Sequence, residues 1–309
     1  MTATSETDRS SPMASNAEEL VVVNIVAPSF SGATWANLVL GTHPEAFSIG
    51  EMDRIHKMGH AVCTLHGESC DVWSRFDAAD SENPFLQLRR LTGHRLFIVN
   101  NSKRFLACQR APSILSKFVF LVRDGRAVVA SAVRKSPEKS IWATAGSWAR
   151  TIRQKQRLLR KEDRRDIMHV VYENLRGNPA AQFEAICDFL GMTFDDQMID
   201  YSRHPHHFLG GNVGTLSMAA RAQGIETLFA AKHDRGIAEV KMSQSHYRLD
   251  DSGRQRQIDL GYYHRSDPVS FRDERWKAEL SDWQLRVFAV RAGRLNRALG
   301  YSAGVERGT

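Results

Sequence analysis

Apolar positions fall along this chain in short unbroken runs, separated by stretches in which they recur at helical spacing. Glu19 to Ala27, reading ELVVVNIVA, is a run rich in β-branched residues, closed by Pro28 and Ser29. A run this short and this apolar predicts a strand buried on both faces of a parallel sheet. A small-residue turn follows at Ser29-Phe30-Ser31-Gly32-Ala33-Thr34, then a helical stretch from Trp35 to Leu40 that stops at Gly41 and Pro44. Short apolar runs return at Arg95 to Val99, Lys117 to Val122 and Asp166 to Tyr172. Between them, Ile141, Ala145, Trp148 and Ile152 lie three and four apart and predict one apolar helix face. Phe183, Ile186, Phe189 and Leu190 mark another helix, capped by Gly191. This alternation predicts an α/β fold, a parallel sheet with helices on both faces. From about His204 to Arg275 no period holds, which predicts a variable lid or substrate segment. An amphipathic helix from Ser281 to Leu299 closes the pattern.

Composition narrows the class. The 309 residues are 42% hydrophobic and 25% charged, as in ordinary globular proteins. The first nineteen are rich in Ser, Thr and Glu and predict a disordered tail, leaving 20–309 as a single domain. They lack the basic-then-apolar pattern of a signal peptide, and no apolar run reaches eighteen residues, so no membrane span is expected. A formal charge of +7 and a pI near 9.4 favour anionic partners. The positive charge is spread out, without a basic tail or tract, and this argues for a phosphate-bearing cofactor over nucleic acid or an acidic membrane. Cys63, Cys70, Cys108 and Cys187, without a secretion signal, predict free thiols and a cytoplasmic setting.

Two segments carry candidate chemistry. A strand, a Gly-containing turn and a helix starting near Thr34 would aim backbone N–H groups and the positive end of a helix dipole at an anion. No Gly-Lys-Ser/Thr follows the turn, so it is not the phosphate loop of nucleotide triphosphatases. The second segment is Arg123-Asp124-Gly125-Arg126-Ala127-Val128-Val129-Ala130-Ser131. Arg123 would emerge at a strand's carboxyl end, where open α/β sheets bind ligands. Ser131 follows about two helical turns later, so guanidinium and hydroxyl can reach one phosphate. A plain helix start, with Asp124 in the first turn and Arg126 solvated, is the bland alternative.

PSFSGATW, LVRDGRAVVAS and VVYENLRGNP followed by FLG together resemble the sulfotransferases that use 3′-phosphoadenosine 5′-phosphosulfate (PAPS). The style is closest to bacterial members and to the tyrosylprotein and carbohydrate branches. The resemblance implies the P-loop-like sulfotransferase fold. It implies that Ser31, Gly32, Ala33 and Thr34 cradle the 5′-phosphosulfate, that Arg123 and Ser131 hold the 3′-phosphate, and that Tyr172 and Trp35 lie against the adenine. It extends over about Val21 to Gly191 and returns in the last helix.

The chain departs from the family where a turn cation is usual, because it has Phe30 there, and where a threonine is usual, because it has Ala33. One positioned donor at a breaking bond is worth roughly 3 kcal/mol of barrier. Lys103, in Asn100-Asn101-Ser102-Lys103-Arg104, matches a Ser-Lys of bacterial relatives and is the expected substitute. Glu51, in Ser48-Ile49-Gly50-Glu51, resembles the Gly-Glu of tyrosylprotein sulfotransferases and is the expected general base, with His43 as the reserve. His207-Phe208-Leu209-Gly210-Gly211-Asn212 resembles a Gly-Asn motif of bacterial relatives, without the arginine that usually follows.

His60, Cys63, His66 and Cys70 are residue types that suit zinc, and Cys70 with Trp73 matches a Cys-x-x-Trp loop of bacterial relatives. Their spacing fits no standard finger, so loop and packing roles are expected and no metal, with a structural metal or a disulfide left open as the alternatives. His204, His206 and His207 are expected to form a solvated cluster. The function expected is sulfonate transfer from PAPS to a small-molecule, carbohydrate or peptide acceptor. The rivals are a nucleotide or sugar kinase, and a non-catalytic nucleotide-binding module. Neither the acceptor nor the oligomeric state is legible.

Overall fold

The computed structural model describes residues 19–100, 109, 111–231, 236–251 and 254–302. The expected tail falls, up to residue 18, outside the described residues, as do Lys103 and Cys108.

Five parallel strands form the central sheet: β1 (Leu20–Val26), β2 (Ala46–Gly50), β3 (Leu96–Asn100), β4 (Ile114–Val122) and β5 (Ile167–Val171), in the order β2-β3-β1-β4-β5. β1 is buried along its whole length, as its unbroken apolar run requires. In β4 alternate side chains diverge: Val119 and Leu121 join one core cluster, Phe118, Phe120 and Val122 the other.

On the first face lies α1 (Ala33–Leu40), whose Asn37 bonds Asn100 and Ser48. α2 (Asp53–Met58) follows β2, and α3 (Pro84–Thr92) packs on the other face, where Phe85 meets Phe97. α4 (Gly125–Lys135) and α5 (Ile141–Leu159) pack together on the second face, where Ile141, Ala145, Trp148 and Ile152 form the expected apolar stripe. α6 (Tyr172–Gly177) and α7 (Pro179–Leu190) follow β5, and Phe183, Ile186 and Leu190 return to the first face.

The region expected to lack pattern holds real elements. It contains α8 (Val213–Ala222), the antiparallel pairs β6 (Thr227–Ala231) with β7 (Ile237–Lys241) and β8 (His246–Asp251) with β9 (Arg254–Asp259), and α9 (Leu260–His264). Each strand there has five or six residues, too few for a period to stand out. β2 also went unread, since AFSIG is short and mixed.

α10 (Trp276–Glu279) leads to the closing helix, which is α11 (Asp282–Phe288), a π-helical turn over Ala289–Gly293, and α12 (Arg294–Ala298). Ser281 and Gln284 start it with a reciprocal capping box. No helix among the described residues is long and apolar enough to cross a membrane.

Candidate functional site

β3 and β2 lie on one side of β1 in the sheet and β4 and β5 on the other, so a topological switch lies between β1 and β4. Val26 of β1 is level with Phe120 of β4, and Val122 of β4 with Val171 of β5. The residues that follow these three strands therefore meet at one edge. Gly32, Trp35, Arg123, Ser131 and Tyr172 line a single cleft holding about 840 Å³ of non-atom space, open solvent at its mouth included.

The turn after β1 is tightly wound. Phe30 has φ 67°, in the left-handed region, and Gly32 has φ 86° and caps α1 without a side-chain hydrogen bond. A Cβ on Gly32 would lie 2.4 Å from the Tyr172 ring, so only glycine lets the turn close over that ring. Ser31 is buried, and its hydroxyl has no hydrogen-bond partner among the described residues. Ala33 opens α1, and the Thr34 hydroxyl accepts the Asn212 N–H at 3.0 Å.

Arg123 is buried with its guanidinium 4.7 Å from the centroid of the Tyr172 ring. Nη1 donates to the Phe30 carbonyl at 2.9 Å and Nη2 to the Asp273 carbonyl at 2.5 Å. Arg126 is not solvated. It is buried and paired with Asp124 at 2.6 Å, over the Trp276 ring. Asp124 also accepts the Arg126 N–H and caps α4, while Asn296 of α12 bonds both Asp124 and the Gly125 N–H. The closing helix thus fixes the start of α4, and with it Ser131.

Trp35 is buried edge-on to Tyr172 and Phe183, and its indole N–H has no hydrogen-bond partner among the described residues. The Arg176 guanidinium lies 4.1 Å from its ring centroid. Arg176 is itself buried, and neither Nε nor Nη2 has a hydrogen-bond partner among the described residues. Buried donors of this kind carry a desolvation cost of about 1–3 kcal/mol each unless a ligand or water meets them.

Sequence reasoning missed four cations that line this cleft: Arg134, Lys135, Arg176 and Arg275. Three had a signal in helical spacing. Arg134 and Lys135 follow Ser131 by three and four positions, and Arg176 follows Tyr172 by four. Arg134 pairs with Glu279 at 2.5 Å, and Arg275 with Asp273 at 2.8 Å. Lys135 lies with Nζ 5.5 Å from the centroid of the Phe30 ring. Burial, and then the Arg256 charge, pull its pKa down to about 8, while the Glu51 charge opposes them.

Glu51 stands at the carboxyl end of β2, outside the lining of the cleft but within electrostatic reach of Lys135. Its N–H donates to the Leu209 carbonyl at 2.7 Å, and its Oε2 accepts from Arg54 Nε at 2.8 Å. His43 lies away from this cleft and accepts the Glu45 N–H, a helix-end turn. The histidine cluster is not solvated. His206 is buried against the Tyr201 carbonyl, and His207 stacks on Phe47 and bonds Cys70.

Residues 115–196, from β4 through α7, match the profile of the Sulfotransferase family. No curated protein sequence matches the chain. Among solved structures, the sulfotransferase domain of an olefin synthase from Synechococcus is similar at 18% identity, over 68% of this chain and 90% of that one, with a TM-score of 0.47. The sulfotransferase domain from the curacin biosynthetic pathway is similar at 19% identity, over 62% and 81%, with a TM-score of 0.48. A mouse sulfotransferase complexed with PAP is similar at 12% identity, over 92% and 88%, with a TM-score of 0.41. All three likenesses are distant. Arg123, Ser131, Tyr172 and Arg176 all lie inside the segment that matches the sulfotransferase family.

Proposed function

We propose that the chain is a sulfotransferase that moves a sulfonate group from PAPS to a hydroxyl acceptor, with the nucleotide in the cleft between β1, β4 and β5. The observation that carries this reading is the set of buried donors with no hydrogen-bond partner among the described residues: Trp35 Nε1 and Arg176, which line the cleft with Arg123 and Ser131, and Ser31 Oγ in the turn above it. A ligand rich in phosphate oxygens meets all of them. Arg123 and Ser131 hold the 3′-phosphate, and the N–H groups of the Gly32–Thr34 turn hold the 5′ end. Tyr172 and Trp35 form the apolar wall for the base.

Transfer requires an acceptor oxygen made nucleophilic and a departing phosphate made stable. Glu51 takes the acceptor proton as the new S–O bond forms. Lys135, beside the turn, meets the charge that grows on the departing oxygen as the old S–O bond breaks. Glu51 lies outside the cleft lining but within electrostatic reach of Lys135, and a simple nucleotide-binding module would need neither role. A kinase reading lacks its phosphate-loop lysine after Gly32.

The test is incubation of the purified chain with sulfur-labelled PAPS and panels of carbohydrate, phenolic and peptide acceptors. Label transferred to one class, and lost with Glu51→Gln, is the expected result. No transfer to any panel, together with tight nucleotide binding, would point to a non-catalytic module.

A further inference from the structure

A second cluster lies behind β2, outside the cleft. Cys63 and Cys70 are fully buried free thiols. Each has a histidine against it. Cys63 Sγ is 3.6 Å from His66 Nδ1, and Cys70 Sγ is 3.3 Å from His207 Nδ1. The ligand atoms of Cys63, His66 and Cys70 all lie within 4.8 Å of one another, as do those of Cys70, Asp71 and His207. The two triads share Cys70, and the His66 and His207 rings are 5.3 Å apart.

Zinc binds thiolate sulfur at about 2.3 Å and imidazole nitrogen at about 2.0–2.1 Å, so a tetrahedral site sets sulfur and nitrogen about 3.6 Å apart. Both sulfur–nitrogen distances here are near that value. We propose that Cys63, His66, Cys70 and His207 form a structural zinc site of the Cys₂His₂ type.

The backbone around the cluster suits a metal. Cys63-Thr64-Leu65-His66-Gly67 is a knuckle, in which the Gly67 N–H returns to the Cys63 carbonyl at 2.9 Å and Gly67 takes φ 61°. The N–H groups of Leu65 and His66 lie beside Cys63 Sγ, and that of Trp73 beside Cys70 Sγ. Backbone donors of this kind orient metal-bound thiolates. His207 is held in turn. Its ring stacks on Phe47, with an interplanar angle of 5°, and its carbonyl accepts from Trp73 Nε1 at 2.6 Å. A Cys63–Cys70 disulfide would use both sulfurs yet leave both histidines without a purpose.

Sequence spacing hid this site because His207 arrives from 137 positions beyond Cys70. The zinc ties the loop at 61–73 to the segment at 204–212. That segment also bonds Thr64 through the Phe208 carbonyl and Glu51 through the Leu209 carbonyl. With His207 completing the Cys63, His66 and Cys70 triad, all four zinc positions would be taken by protein, so the role of the site is to clasp that wall in place.

The inference is independent of nucleotide binding and is tested on the full chain by elemental analysis. The expected result is about one zinc per chain, kept in Cys187→Ser and lost in Cys70→Ser. His66→Ala and His207→Ala, which leave both thiols intact, should weaken zinc binding at least tenfold in a chelator competition. Because serine variants can misfold, cobalt(II) exchanged into the wild-type chain gives a second readout. Tetrahedral cobalt with thiolate-to-metal charge transfer supports the site. A chain that holds no zinc after loading and gel filtration overturns it. So does a mass lower by two hydrogens from a Cys63–Cys70 disulfide, or zinc held equally well by every ligand variant.

Discussion

The Lys135 ammonium lies over the ring of Phe30, 5.5 Å from its centroid, at the turn where related sequences usually have a cation of their own. A side chain from the far end of α4 thus reaches the place that Phe30 leaves uncharged. Lys103, the substitute expected from sequence, lies outside the described residues. Lys135→Ala should lower turnover far more than nucleotide affinity, because the charge it meets develops only as the bond breaks. The loss expected is about a hundredfold, matching one positioned donor of roughly 3 kcal/mol. Phe30→Lys should restore part of the rate in the double variant. Steady-state rates of the single and double variants decide it, and normal turnover in Lys135→Ala would return the role to Lys103.

Burial gives Lys135 a pH signature. With its pKa at about 8, it is charged below that pH and neutral above it. Turnover should therefore fall as pH rises through about 8, and Lys135→Arg should abolish the fall. Stability should move the other way. The unfolded chain keeps this proton up to the ordinary 10.5, so between about 8 and 10.5 it binds more protons than the folded chain. The group's contribution to stability then rises with pH across that window. Parallel pH profiles of rate and thermal midpoint, for the wild type and Lys135→Arg, separate the two effects.

Glu51→Gln keeps the shape of the side chain and removes its ability to take a proton. Turnover should drop about 10²- to 10⁴-fold with nucleotide affinity unchanged. Near-full turnover with the true acceptor would move the base elsewhere. His43 is a poor successor, because it lies away from the cleft.

Gly32→Ala tests the turn itself. The added methyl meets the Tyr172 ring at 2.4 Å, at a backbone φ of 86°. Destabilisation of about 1–3 kcal/mol is expected, visible as a lower denaturation midpoint in urea. Nucleotide affinity should fall as well. Gly32→Ala with Tyr172→Ala should recover the steric part alone, so an unchanged midpoint in the single variant would contradict the close packing described.

The strands that build the cleft were legible because β1, β4 and β5 are apolar runs, each ending at a residue of different chemistry. The turn at Ser31–Thr34 and Arg123 stood out from that punctuation, whereas Tyr172 was marked only by the family resemblance. Lys135 and Arg176 were legible in principle, as helical neighbours of Ser131 and Tyr172, but nothing in a single helix shows that its face looks into a cleft. Arg275 and Asp273 approach from about 150 residues beyond Arg123, and no local period encodes such a contact. His207 was read as solvated for the same reason. Its partners Phe47, Cys70 and Trp73 come from other parts of the chain.

The central claim is a cleft built for a nucleotide with a 3′-phosphate, and titration calorimetry with 3′-phosphoadenosine 5′-phosphate and with AMP tests it most directly. Arg123 and Ser131 should each give the extra phosphate a charge-assisted contact of about 1.5–3 kcal/mol. The bisphosphate should therefore bind at least tenfold more tightly than AMP, and Arg123→Ala should erase the difference. Equal affinity for the two nucleotides would contradict the account.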